Sequence, residues 1–156
     1  MAARPWVVVA DFVAWGAIQV GLGYLTHRLP ERYFAGDAWL WRERGFEDGG
    51  RLYVRWLAIR RWKHLLPDAG TVFAGGFARR RLKSRDAGYL TRFAAETRRA
   101  ELNHWLAFAC VPFFALWNPP VAMGPILAYG IVANLPCVLA QRYNRIRLVR
   151  ALGRVG

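Results

Sequence analysis

The stretch Trp105–Ala140, WLAFACVPFFALWNPPVAMGPILAYGIVANLPCVLA, contains no charged residue, and its reading decides the fold. Its interruptions are Pro112, Asn118-Pro119-Pro120, Gly124-Pro125 and Asn134-Leu135-Pro136. Asn-Pro-Pro removes two backbone donors in a row and is the strongest turn signal among them. The stretch therefore splits into a helical hairpin turning near residues 118–120. Its first arm, Trp105–Trp117, is only about 20 Å long as helix. To cross roughly 30 Å of hydrocarbon it must borrow a turn from the polar residues before it, or sit as a re-entrant arm.

Upstream, Trp6–Leu25 runs without a basic residue and with Asp11 and Gln19 as its strongly polar intrusions, long enough for a first span. Its apolar run is too long and its basic leader too slight for a cleaved signal, so it reads as a retained helix. An Asp in a span is costly and must meet a partner or a water-filled pocket. The chain is 55% apolar and 15% aromatic with a formal charge of +13. That pairing excludes disorder, and the clustering of the apolar residues, with no recognised nucleic-acid motif, sets soluble nucleic-acid binding aside. The expected fold is all-α and membrane-integral, with about three transmembrane helices. Residues 1–25 form the first, 26–90 a basic loop, 91–143 the hairpin and 144–156 a basic tail. After Ala140 come Arg142, Arg145, Arg147, Arg150 and Arg154 without an acid, so loop and C-terminus should face the cytoplasm of a multi-pass cell-membrane protein. Cys110 and Cys137 both fall in the hairpin and read as buried thiols.

Within the loop, residues 35–50 read as an interfacial connection. Residues 51–66 plot as an amphipathic helix with Leu52, Val54, Trp56, Ala58, Ile59, Trp62, Leu65 and Leu66 on one arc and Tyr53, Arg60, Arg61 and His64 opposite. Arg55, inside the apolar arc, and Arg51 near it either snorkel toward headgroups or grip the phosphates of a donor such as an acyl thioester. The run Arg79-Arg80-Arg81-Leu82-Lys83 reads as a solvated or lipid-phosphate-binding patch.

A helix from Thr91 to Trp105 should be continuous with the second span or abut it, and carry Glu96, Arg99, Glu101, Asn103 and His104 to the membrane surface. Glu96, Arg99 and Asn103 share a stripe, and Glu101 stands three residues before His104. A carboxylate beside an imidazole suits a general base that takes a proton from a hydroxyl, although an ordinary interfacial pair has the same spacing. His64 with Asp68 is a second candidate, one residue short of the four-residue spacing of glycerolipid acyltransferases and interrupted by Pro67. The segment Gln141–Arg147, QRYNRIR, anchors the last helix or binds an anionic or sugar headgroup. No metal is expected, since the Glu-x-x-His pattern has no second copy.

The pieces WKHLLPD (62–68), ETRRAELNHW (96–105), ANLP (133–136) and QRYNRIRL (141–148), with LPERYF (29–34), resemble in order and spacing the glycosyl-4,4′-diaponeurosporenoate acyltransferases of bacterial carotenoid synthesis. The resemblance implies esterification of a sugar hydroxyl on a membrane-embedded glycosylated carotenoid acid by a fatty acyl group. Acyl-CoA or acyl carrier protein would be the co-substrate, with no cofactor, and membrane lipids and the glycolipid acceptor the partners. Read on the residues themselves, His104 is the expected base, with Glu101 or Glu96 to orient it. Arg99, Asn103, Arg55, Trp62, Lys63, Gln141, Arg142, Tyr143, Asn144 and Arg145 are the expected substrate-binding set. The rivals are a non-enzymatic subunit or scaffold that binds anionic lipid or a partner protein, and a small transporter. Three spans make a thin bundle, which leaves a homo-oligomer open.

Overall fold

The structure is a computed structural model that describes residues 5–36, 38–67, 70, 72, 76–77 and 82–154. It is helical, with no strand among the described residues. Among the described residues five α-helices carry the fold: α1 (Pro5–Arg28), α2 (Arg51–Arg55), α3 (Ile59–Trp62), α4 (Ala87–Ala109) and α5 (Pro120–Leu152). Short 3-10 turns at Glu31–Phe34, Gly45–Gly50, Lys63–Leu65 and Val111–Leu116 join them.

Two described helices, α1 and α5, are long and apolar enough to cross a bilayer, which is consistent with a membrane protein. Their outward faces are apolar: Phe12, Val13 and Val20 of α1, and Val121 and Val132 of α5, are each more than 60% exposed. A surface of that kind wants lipid or a partner against it. The third expected span is not a continuous helix. The α4 helix ends at Ala109, because Pro112 has no N–H to donate to the carbonyl of Phe108 and its ring crowds that carbonyl. The chain continues to the turn as the 3-10 segment Val111–Leu116. This arm packs between α1 and α5 through Trp15, Val111, Phe114 and Ile126. Gly130 permits the contact, since a β-carbon there would stand 2.8 Å from Val111 Cγ2. The Asn-Pro-Pro turn lies where expected, and Asp11 meets its partners there, accepting from Trp117 Nε1 at 2.7 Å and Asn118 Nδ2 at 2.8 Å.

Past the turn, α5 runs uninterrupted through Pro125 and Pro136. At 33 residues it is about 50 Å long, well beyond a hydrocarbon core, so its last turns stand among the polar segments. There α4, started by Asp86, whose side chain accepts from the N–H of Tyr89 at 3.1 Å, lies antiparallel to it and buries Leu90, Phe93 and Ala94 against Leu148.

The expected amphipathic helix over 51–66 is broken in two. Ala58 adopts a left-handed conformation (φ +46°, ψ +36°) between α2 and α3. The reason is packing. A continuous helix would turn Tyr53 away from Ile59, whereas the break lets both close on Ala140, Tyr143 and Ile146 in one cluster. Tyr53 is therefore buried, while Trp56 and Leu65, placed on the apolar arc, stand exposed.

Candidate active site

Polar residues meet at two successive levels of the bundle. At the first, α1, α4 and α5 contribute Gln19, His104 and Asn134. Asn134 donates from Nδ2 to the carbonyl of Gly130 at 2.9 Å, so its Oδ1 faces the other two. It accepts from Gln19 Nε2 at 3.1 Å and stands 3.1 Å from His104 Nδ1. An oxygen there requires the proton on Nδ1, which leaves the lone pair of the neutral ring on Nε2. The orienting group for His104 in this pair is thus an amide from α5.

Glu101 is engaged elsewhere. Its side chain has no solvent exposure; Oε1 accepts from Arg142 Nη1 at 3.0 Å and Oε2 from Arg145 Nη1 at 2.5 Å. Arg142 also holds Glu47, which is equally withdrawn from solvent, and the carbonyls of Leu40 and Arg42. Arg145 donates to the carbonyl of Trp41. Tyr53 donates its hydroxyl to Glu47. Two carboxylates therefore face two guanidinium groups, and the connection 38–50 is clamped onto both long helices. Burial acts to raise the Glu47 carboxyl, but hydrogen bonds from Arg142, Tyr53 and the Arg44 amide prevail and hold it below the usual carboxylate range. Burial, reinforced by the charge on Glu47, pushes the Tyr53 hydroxyl up.

Two depressions open beside this clamp. A groove of about 390 Å³ lies between the C-terminal half of α5, the first turns of α4 and the segment Lys63–Pro67. Leu90, Phe93 and Leu148 line one side, and Lys63, Gln141 and Asn144 supply polar groups. Lys63 Nζ donates to Asn144 Oδ1 at 2.7 Å and lies over the Tyr143 ring. Burial, with Arg147 and Arg60 nearby, holds this ammonium below its ordinary value. The second depression, about 560 Å³, brings Arg51, Arg55, Arg60 and Arg147 around Tyr143 and the Gly49–Gly50 turn. Tyr143 stands between the two, its hydroxyl accepting from Arg60 Nε at 3.1 Å.

The expected site residues thus divide. Lys63, Gln141 and Asn144 come together in the groove, and Arg55 joins three other arginines. Arg142 and Arg145 serve the clamp. Arg99 pairs with Glu96 at 3.3 Å and donates to the carbonyls of Thr26, His27 and Leu29, closing the C-terminus of α1. Trp62 packs beside the Tyr53–Ile59–Tyr143 cluster and donates to the Leu57 carbonyl. Asn103 carries a buried Oδ1 with no hydrogen-bond partner among the described residues. His64 lines the groove; Asp68 and Arg79–Arg81 lie outside the described residues. Sequence reasoning missed Glu47, Tyr53 and the role of Asn134. The one local signal was that Asn134 sits within ANLP, one of the four motif pieces.

Those pieces meet in space. Glu101 of ETRRAELNHW grips Arg142 and Arg145 of QRYNRIRL, His104 meets Asn134 of ANLP, and Lys63 of WKHLLPD bonds Asn144. The model of the glycosyl-4,4′-diaponeurosporenoate acyltransferase family matches residues 37–154. Proteins of that name from Staphylococcus aureus strains MRSA252 and bovine RF122 / ET3-1 are each 30% identical over 151 residues, covering 96% of this chain and 91% of the relative. No solved structure matches the chain.

Proposed function

The chain belongs to the glycosyl-4,4′-diaponeurosporenoate acyltransferase family and is an acyltransferase, and on that premise we propose that it transfers a fatty acyl group from a thioester to a sugar hydroxyl of a glycosylated carotenoid at the cytoplasmic face of the membrane. The observation that carries this reading is the contact of His104 with Asn134. It ties together two of the motif pieces and leaves Nε2 as the basic nitrogen, which is what removal of a hydroxyl proton requires.

In the proposed step the hydroxyl oxygen attacks the thioester carbonyl. His104 takes the hydroxyl proton, a C–O bond forms, the C–S bond breaks, and the proton passes to the leaving sulfur. Asn134 and Gln19 hold the imidazole in place. Glu101, Arg142 and Arg145 act in this reading as the frame that fixes α4 against α5, in place of the orienting role expected of Glu101 and the substrate-binding roles expected of the two arginines. The four arginines around the Gly49–Gly50 turn suit the phosphates of acyl-CoA or of a phosphopantetheine arm. Acceptor and acyl chain both partition into lipid, so the bundle has only to align their polar ends. The basic segments place this end of the molecule on the cytoplasmic side in this reading.

The test is purified protein in nanodiscs with labelled long-chain acyl-CoA and acyl carrier protein donors and a panel of glycosylated lipids that includes a glycosyl carotenoid acid. An ester seen by mass spectrometry, reduced about 10²–10⁴-fold by His104→Ala in protein that still folds, supports the assignment. Undiminished turnover in that variant removes His104 from the chemistry.

A further inference from the structure

The groove beside Lys63 holds a buried polar atom that the fold does not satisfy. Gln141 Oε1 has no hydrogen-bond partner among the described residues, although its residue lines an opening of about 390 Å³. That size falls in the range of small-molecule sites, about 300–1,000 Å³. A buried acceptor without a donor is costly, and a ligand hydroxyl would relieve it. The neighbouring groups complete the pattern. Lys63 Nζ and the amide of Asn144 stand within one hydrogen bond of each other, and the Lys63 ammonium retains donors for a ligand oxygen. His64 and Arg147 also line the groove, and Leu90, Phe93 and Leu148 give it an apolar side.

We propose that this groove binds the sugar of the acceptor, with Gln141 Oε1 accepting from one ring hydroxyl, Lys63 donating to another, and the apolar wall taking the first carbons of the lipid. The assignment rests on the acyl-transfer reading and adds the place and the chemistry of recognition. A phosphate or carboxylate headgroup would meet the charges of Lys63 and Arg147 but would turn an oxygen lone pair toward Gln141 Oε1 and leave that acceptor without a proton. A neutral polyol both donates and accepts. Gln141 lies seven residues beyond Asn134 on α5, two turns or about 10 Å along the helix, so a sugar seated at the inner end of the groove extends toward the level of His104. Recognition then lies in the sugar, and simple alkyl glycosides should be bound and acylated as well.

The probe is a labelled, photoreactive alkyl glucoside cross-linked to the full chain in nanodiscs, with adducts mapped by mass spectrometry. Adducts should fall on residues 60–67 and 140–151, fade with excess octyl glucoside, survive excess octylphosphocholine, and drop severalfold in Gln141→Leu. Equal competition by octylphosphocholine would identify the groove as a general lipid contact and overturn the proposal. Adducts mapping elsewhere on the wild-type protein would do the same, so the decision does not depend on the variant folding. Because the readout is binding, headgroup-selective labelling without ester formation would leave this site standing and count against the acyl-transfer chemistry. Ester formation with undirected labelling would do the reverse.

Discussion

Arg145 of α5 donates from Nη1 to Oε2 of Glu101 in α4 at 2.5 Å, with the arginine 3% exposed and the carboxylate fully withdrawn. A buried pair of this kind adds little over a well-packed apolar contact, but removal of one member strands a charge at a cost of about 3–5 kcal/mol. Glu101→Leu leaves both Arg145 and Arg142 without this carboxylate and should lower the thermal unfolding midpoint sharply. Activity per folded molecule should fall much less. A midpoint unchanged within error would show that the clamp does not hold the helices together.

The Glu47 carboxyl gives the fold an acid-sensitive point. Its folded pKa lies below the unfolded value of 4.5, so its contribution to stability is complete above that value and disappears as the pH falls through the lowered folded pKa. Acid unfolding followed by tryptophan fluorescence should show this loss below about pH 4.5 in the wild type. Glu47→Gln should start less stable at neutral pH and show a shallower acid limb. Parallel acid limbs in the two proteins would remove Glu47 as the source.

The contrast between these residues and those that sequence reasoning placed well has a physical cause. The first apolar helix, the Asn-Pro-Pro turn and the Thr91–Trp105 helix rest on local signals: apolar runs, missing N–H donors and side chains spaced three and four apart. The partner of Glu101 is not local. Three-residue spacing sets its carboxylate near His104, but two guanidinium groups arriving from α5, 41 and 44 residues away, bind it with charge-assisted hydrogen bonds. The same holds for Glu47, whose clamp partner Arg142 is 95 residues distant. The 51–66 segment misled for a related reason. Its helical arc was real as a pattern, but burying both Tyr53 and Ile59 against Tyr143 required the backbone to turn at Ala58.

Gly130 is where the irregular arm touches α5. A β-carbon there would meet Val111 Cγ2 at 2.8 Å and the Trp15 ring at 3.5 Å, and a β-branched neighbour on a constrained backbone yields little. Gly130→Leu should cost about 1–3 kcal/mol through overpacking and loosen α1 from the hairpin, read as faster proteolysis in detergent. Val111→Ala in the same chain should restore part of the loss. Wild-type resistance in Gly130→Leu would mean that the arm moves freely.

The arginines around the Gly49–Gly50 turn separate a donor site from a lipid anchor. Arg55→Gln and Arg147→Gln should each raise the KM for acyl-CoA roughly tenfold, about the strength of one charged hydrogen bond, and leave kcat near its starting value. Added salt should raise the wild-type KM and affect the variants less. If membrane association falls and KM does not change, these arginines bind headgroups.

Asn134 tests the base through its orienting group. In Asn134→Leu, Nδ1 loses this acceptor and Gln19 loses the same oxygen. The expectation is a lower kcat at nearly unchanged acceptor KM, smaller in extent than for His104→Ala. Asn134→Asp is the sharper variant. A carboxylate at this position stabilises the protonated imidazole and raises its pKa, so a base that must be neutral to act works only at higher pH. The acid limb of kcat against pH should move upward in Asn134→Asp and stay in place in Asn134→Leu. An acid limb that does not respond to either change would mean that the titrating group behind it is not His104, and the imidazole in the groove, His64, would take its place as the candidate.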